Sequence, residues 1–394
     1  MSKALLEGIR VVELGAAAVG PWAAKLLGGL GAEVIKLEDP VGEISHAIPP
    51  FLNGTAALYI NANLNKRNIA LDLKNKDQFQ QALELVSGAD IFIENMRPGV
   101  MDRLGFGYAA LSKLNPRLIM VSASAYGATG PMGNFAGADP FVQAFCGWCS
   151  ITGSEGGRGE MLRYLAHLDI TAATTCTEAA LHALVEREKS GLGQLINIEM
   201  ITSALSIQAT RVAEFLATGE QPLPMGSAAA TTVPHQAFLC EDDEYLAVGV
   251  VQPDQWAPFC RAMKLDELID DARFKTNPER VLHRAELIPL LRERFRSRPS
   301  AWWAMRLVKE RVPNGRFLDF GALLQHSQVM QNRLLTRVPS QHWGNVLTEA
   351  LPWTFERGAK SLQSAGGLKG EHNEQVLREL AQRKRPAAGA GGGV

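Results

Sequence analysis

Between residues 10 and 38 the chain passes from an apolar stretch, Arg10 to Leu14, through the small-residue turn AAAVGP and the segment WAAKLLGGLG to a second apolar stretch, AEVIKLE. Two short apolar runs parted by a helix-length segment pair as parallel strands, because the crossover returns the chain to the same end of the sheet. Pro21 suits the first turn of that helix, where its missing N–H costs no hydrogen bond. This βαβ unit commits the N-terminal part to α/β architecture with a Rossmann-like, mostly parallel sheet. Further strands are expected at NIALDL, ADIFIEN and LIMVSASAYG, and helices at Lys76 to Ser87 and Tyr108 to Leu114. The first turn does not form G-x-G-x-x-G, so an NAD-dependent dehydrogenase would rest on sheet type alone.

The segment LGQLINIEMITSALSIQATRVAEFLATG reads as a long helical stretch. After it, EQPLPMGSAAATTVPHQAF is rich in Pro, Gly, Ser, Thr and Ala and marks a linker. Residues 1–221 are expected to form the large domain, and residues 222–336 a smaller α+β domain. That domain has a hairpin strand at EDDEYLAVGVVQ and amphipathic helices at QWAPFCRAMKL, HRAELIPLLRERFRS and SAWWAMRLVKERV. Residues 337–382 are expected to return to the large domain, and 383–394, RKRPAAGAGGGV, to be a disordered tail.

With 394 residues, 46% of them hydrophobic, the chain can bury a large core. A net charge of −1 argues against a general nucleic-acid binder, so an anion site must be a local patch. Lys36, Lys66, Arg67, Lys74, Arg97 and Arg103 supply one. No apolar run approaches the ~20 residues of a bilayer span, and MSKALLEG lacks a signal peptide's apolar core, so a cytoplasmic location and no membrane partner are expected. Five cysteines suggest no disulfide framework. Cys146-Gly147-Trp148-Cys149 has C-x-x-C spacing, but no second pair or histidine cluster accompanies it, and no metal site is expected.

Residues 91–106, IFIENMRPGVMDRLGF, deliver Asn95, Arg97, a Pro98-Gly99 turn and Arg103 to the carboxyl edge of a strand, where open α/β sheets bind ligands. The two guanidinium groups suit phosphate oxygens and the Asn95 amide suits a ligand's polar edge. A strand, a proline turn and a solvated helix start explain the same spacing, and no general phosphate motif is matched. Asp169, in LAHLDITAATTCTEAALHALVERE, opens a helix of small residues. On position alone it suits an N-cap.

The string ENMRPGVMDRLGFGYAAL, followed by LNPRLIMVSASAYGATGP, resembles the family III CoA-transferases, the group that includes formyl-CoA transferase and carnitine CoA-transferases. The similarity extends through LEGIRVVELG, GPWAAKLLGGLGAEVIKLEDP, NLNKRNIALDLK and SGLGQLINIEM, and more weakly through DEYLAVGV, DARFKTNPER and the segment around Trp302, about residues 6 to 335. The resemblance implies that Asp169 is a nucleophile and that coenzyme A esters are substrates, with no permanently bound cofactor. It sets Lys36, Leu71, Asn95, Met96, Arg97 and Arg103 along CoA, and Ala17, Ala18, Ala138, Asp139, His167 and Gln236 along the substrate pocket. It also implies an interlocked-ring homodimer, in which Gln236 and the Ser227 to Thr231 loop cover Asp169; some relatives work instead as heteromers with a non-catalytic subunit.

A carboxylate suits such chemistry, because CoA transfer between two acids needs a nucleophile whose intermediates match thioester and anhydride in reactivity. Backbone N–H groups near the start of the Asp169 helix are expected to stabilise the tetrahedral oxyanions. His167 is either a base or a simple partner of that carboxylate. The α-methylacyl-CoA racemases resemble the same sequence, but they use a histidine where this chain has Ala138, and inversion needs two bases. Ala18, Asp39 and the Ser227 to Thr231 stretch depart from the formyl-CoA transferase pattern. Ala17, Ala18, Ala138, Phe141 and Ala228 suit a roomier, less polar pocket. A C4 or C5 dicarboxylate, or an aryl-substituted acid, with succinyl-CoA as donor, is the expected pair.

Overall fold

The computed structural model describes residues 4–162, 166–358 and 362–383. Six strands form one all-parallel sheet: β1 (Arg10–Leu14), β2 (Glu33–Glu38), β3 (Lys66–Ala70), β4 (Ile91–Glu94), β5 (Ile119–Ser124) and β6 (Leu195–Glu199). Their order is β3-β2-β1-β4-β5-β6, so the chain reverses its direction of travel across the sheet between β1 and β4. The helices that matter to the site are α1 (Val19–Gly29), α2 (Lys76–Ser87), α3 (Val100–Leu104), α4 (Tyr108–Leu114), α5 (Asp139–Phe145), α6 (His167–Ser190) and α7 (Asn373–Arg383).

Period-two alternation assigns the strand residues to two faces. Val11, Val34, Ile91, Ile93 and Val121 pack with Ala23 and Leu27 of α1 and Ala172, Cys176 and Ala180 of α6. Val12, Ile35, Leu37, Phe92 and Met120 pack on the other face with Leu85 and Val86 of α2 and Val376 of α7. Small residues let α1 and α6 approach closely, and the Thr177 hydroxyl donates to the Ala23 carbonyl at 3.4 Å.

The expected helix through LINIE is corrected. Leu195–Glu199 is a strand, followed by helices Met200–Ile207 and Ala209–Thr218. Its apolar residues alternate, and parallel pairing with Met120 to Ser124 fills the edge of the sheet. Tertiary pairing outweighs the helical run that follows.

Charged residues lie buried inside the sheet. Glu13 of β1 is fully buried, beside Lys36, its register partner on β2. The Lys36 ammonium lies 3.3 Å and the Lys66 ammonium 3.1 Å from its carboxylate. Lys66 also donates to the Pro21 carbonyl at 2.7 Å and to Asn63 Oδ1 at 2.9 Å, and Lys36 to the Gly15 carbonyl at 3.1 Å. Burial pushes the Lys66 ammonium down to about 8 against the pull of Glu13.

Two compact units divide the chain. The first takes residues 1–148, 162–219 and 332–394; the second takes 149–161 and 220–331. In the first, the final segment covers the β3 edge: the Asn373 side chain bonds both backbone groups of Ala70 at 2.8 and 2.9 Å, and Arg67 pairs with Glu379 at 2.8 Å. Arg383, expected to begin a tail, ends α7, and residues 384–394 lie outside the described residues. The second unit has a three-stranded antiparallel sheet, Asn314–Arg316, Tyr245–Gly249 and His235–Leu239, packed through Phe238, Leu246, Phe259, Phe295 and Trp303. Among the described residues no helix is long and apolar enough to cross a membrane.

Glu13→Gln removes the carboxylate that both buried ammonium groups pair with, and the expected loss of stability at neutral pH is about 3–5 kcal/mol. Urea unfolding measures it. A loss under about 1 kcal/mol would mean that the cluster is not held as described.

Candidate active site

The reversal between β1 and β4 opens a crevice at the carboxyl edge of the sheet, the place where such folds take ligands. The turn after β1 is tied to the end of β4 by Asn95, whose Oδ1 accepts from Ala16 N at 2.8 Å and whose Nδ2 donates to Ala16 O at 2.9 Å. Gly15 N donates to Glu13 Oε1 at 2.7 Å. A Cβ on Gly15 would stand 2.6 Å from both Asn95 Oδ1 and Glu13 Oε1, so only glycine fits. Ala17 takes a positive φ of 60°, and its N–H donates to Glu43 Oε2 at 3.0 Å. Backbone strain of this kind persists only where surrounding bonds hold it.

A cavity of about 380 Å³ lies over this turn, lined by Gly15, Ala16, Leu37, Asp72, Lys74 and Met96 among others. Its carboxylates include Glu38, Asp39 and Glu43. Burial opposes ionisation of Glu38, but His46, Lys36 and Asn68 outweigh it and hold its carboxyl below the usual range.

The residues expected along CoA divide. Met96 lines this cavity, and Leu71 is buried in the core behind it. Asn95 is half-buried and bonds both backbone groups of Ala16, so its amide builds the turn. Lys36 is fully buried on Glu13, because a carboxylate inside the sheet binds the nearest ammonium before any solvent anion can. Arg97 and Arg103 are exposed around a turn closed by Gly99 at φ 76°, and neither makes an ion pair among the described residues. Arg97 lines a second cavity of about 380 Å³ together with Glu94, Asp102, Tyr108 and Ser122.

Asp169 lies at the start of α6, which enters β6 through a four-residue connection. A helix leading into a parallel strand begins at the sheet's carboxyl edge, so Asp169 shares that edge with the turn after β1. It is not the N-cap. That position belongs to Ala166, which has no capping side chain, and Asp169 is the third helical residue. Asp139 of α5 caps the helix from outside: its Oδ2 accepts from Leu168 N at 2.8 Å and Asp169 N at 3.2 Å. These first-turn N–H groups, expected to serve an oxyanion, are therefore occupied. Burial, and then the negative charge of Asp139, push the Asp169 carboxyl up to about 7.

His167 precedes Asp169 on the same helix, with its ring 4.6 Å from that of Trp148. Ala138 is the exposed N-cap of α5, and Ala18 the buried N-cap of α1. Gln236 belongs to the second unit, where it lines a cavity with Ser227, His235 and Asn314. Two residues of the site were missed from the sequence. Gln143, one helical turn after Asp139, donates to it, and the i,i+4 spacing of Asp and Gln was the available signal. Glu43, the N-cap of the short 3-10 helix Ile44–Ala47, gave none.

A family described as CoA-transferase family III matches residues 6–373. The succinyl-CoA:glutarate CoA-transferase of Mus musculus is 31% identical over 377 residues, covering 95% of this chain and 86% of that protein. The succinate–glutarate CoA-transferase of Agrobacterium fabrum is 31% identical, with 97% of each chain covered. A crystal structure of a CAIB/BAIF family protein from Brucella suis matches with a TM-score of 0.86 at 29% identity, over 96% of this chain and 100% of that one.

Asp169 binds its proton more tightly in the fold than in the unfolded chain. The stability this confers is complete below the ordinary value of 3.8 and is lost as pH rises through about 7. Asp169→Asn should therefore melt above the parent protein near pH 8, with the gap closing on acidification towards pH 4. Thermal melts across that range test it, and a pH-independent gap would contradict the raised carboxyl.

Proposed function

The chain belongs to the family III CoA-transferases, and on that premise we propose that Asp169 carries the acyl and CoA groups in turn during transfer from succinyl-CoA to a C5 dicarboxylic acid. The placement of Asp169 carries this proposal: a partly buried carboxyl at the helix start, pushed up to about 7, is more basic and more nucleophilic than a free aspartate yet ionised above neutrality.

The ionised carboxylate attacks the thioester carbonyl, the C–S bond breaks, and CoA leaves as a thiolate from an aspartyl-acyl anhydride. The thiolate then attacks the aspartyl Cγ, releasing the donor acid and leaving an aspartyl-CoA thioester. The acceptor carboxylate attacks that thioester carbonyl and expels the thiolate again, which takes the new acyl group from the second anhydride and frees Asp169. No proton is gained or lost overall. The dicarboxylates named for the mouse and Agrobacterium relatives support the acid class. A racemase would need a base at Ala138, which has none.

Along CoA we place the adenosine at the cavity of Met96 and Lys74, over Leu71, with the phosphates on Arg97 and Arg103. We also infer a homodimer of interlocked rings. Its support is apolar surface exposed in the single chain, Leu205, Ile207, Phe215 and Leu216, on two consecutive helices.

Incubation with succinyl-CoA should give an acyl or CoA adduct on Asp169 by mass spectrometry, and Asp169→Ala should lose about 10³-fold or more in turnover. An adduct on another residue would sink the assignment. Turnover should rise with pH through about 7, the value at which Asp169 ionises. Arg97→Ala should raise KM for the CoA ester about tenfold, one charge-assisted contact being worth ~1.5–3 kcal/mol. An unchanged KM at low salt would place the phosphates elsewhere. Sedimentation at nanomolar concentration should still give a dimer, and an active monomer would rule out interlocking.

A further inference from the structure

We infer that Gln143 is a positioning residue for Asp169, acting by clamping Asp139 against the start of α6; the inference rests on Asp169 being the reacting carboxylate. Gln143 is 1% exposed, and its amide is fully committed. Nε2 donates to Asp139 Oδ1 and, at 3.1 Å, to Leu162 O; Oε1 accepts from Leu162 N at 3.0 Å. Asp139, 5% exposed, then turns its other oxygen to the N–H groups of Leu168 and Asp169. Each oxygen of this buried carboxylate thus has a donor, and each donor fixes it from a different side.

Two consequences follow for Asp169. The N–H groups at the helix start, which would stabilise its ionised form, are given to Asp139. The charge of Asp139 is also held beside it. Asp139 is the charge that acts on Asp169. Lys25 of α1 is bound to Glu349, Glu199 lies on β6, and His167 stands on its own helix. Removing Gln143 would leave Asp139 Oδ1 a buried anion without a donor, and the side chain would rotate or take up a proton to escape that cost. Asp169 would then regain the helix N–H groups, lose its neighbouring charge, and become a weaker nucleophile.

The test reads the Asp169 carboxyl directly, by ¹³C NMR of ligand-free protein labelled at aspartate Cγ, with Asp169→Asn assigning the resonance. Gln143→Leu should lower the Asp169 midpoint by about one unit or more. The acid limb of turnover should move by the same amount, with kcat down about tenfold and KM for the CoA ester unchanged. Gln143→Glu should recover on the acid side alone, where the introduced carboxyl is protonated and again donates to Asp139. Asp139→Asn should give a similar shift, and Gln143→Leu added to it should give no more. An unmoved Asp169 titration in Gln143→Leu overturns the inference, even if turnover falls, because loss without a shift is damage to the fold. So does an equal shift in the Asp139→Asn background. If Gln143→Leu does not fold, Gln143→Glu decides by the same titration. The titration needs no substrate, so a parent protein without turnover would refute the transferase proposal and leave this result standing.

Discussion

Glu13 is a carboxylate with no access to water, held by two ammonium groups that have almost none either. Desolvating three charges is expensive, and an apolar trio of similar volume would serve stability as well or better. What the cluster supplies is geometry. Glu13 Oε1 takes the Gly15 N–H, Lys36 the Gly15 carbonyl and Lys66 the Pro21 carbonyl, so the turn after β1 and the first turn of α1 are gripped from beneath by buried side chains. Asn95 grips the same turn from β4. The turn that floors the crevice is therefore held by side chains from β1, β2, β3 and the end of β4.

Much of this fold was legible because local and global signals agree. The strand at Arg10–Leu14 and the helices at Lys76–Ser87 and Tyr108–Leu114 have the bounds that apolar periodicity and turn residues set. Periodicity failed at LINIE, where a strand runs straight into helix without a turn residue between them. A five-residue strand carries too few alternations to interrupt a helical pattern, and only the neighbouring strand identifies it.

The site was legible to a lesser degree, for a physical reason. Residue type and position along the chain picked out Asp169 and Asp139, yet whether a carboxylate caps a helix or reacts depends on which one reaches the N–H groups, and that is decided across a gap of thirty residues. The basic residues show the same limit. Lys36 and Arg97 look alike as members of a local positive patch, but one faces a carboxylate inside the sheet and the other faces solvent. Charge is written in the sequence; the direction in which it points is not.

The cover on the β3 edge bears on how the protein is made. A bare edge strand is a template for unwanted pairing. Here Ala70 waits for Asn373, and Arg67 for Glu379, so the groups that close the edge leave the ribosome about 300 residues after the strand itself. At ~5–20 residues per second that is a delay of about 15–60 s, during which the whole second unit is synthesised. Throughout that interval the nascent chain carries an open sheet edge, so the speed of translation sets how long that edge stays bare.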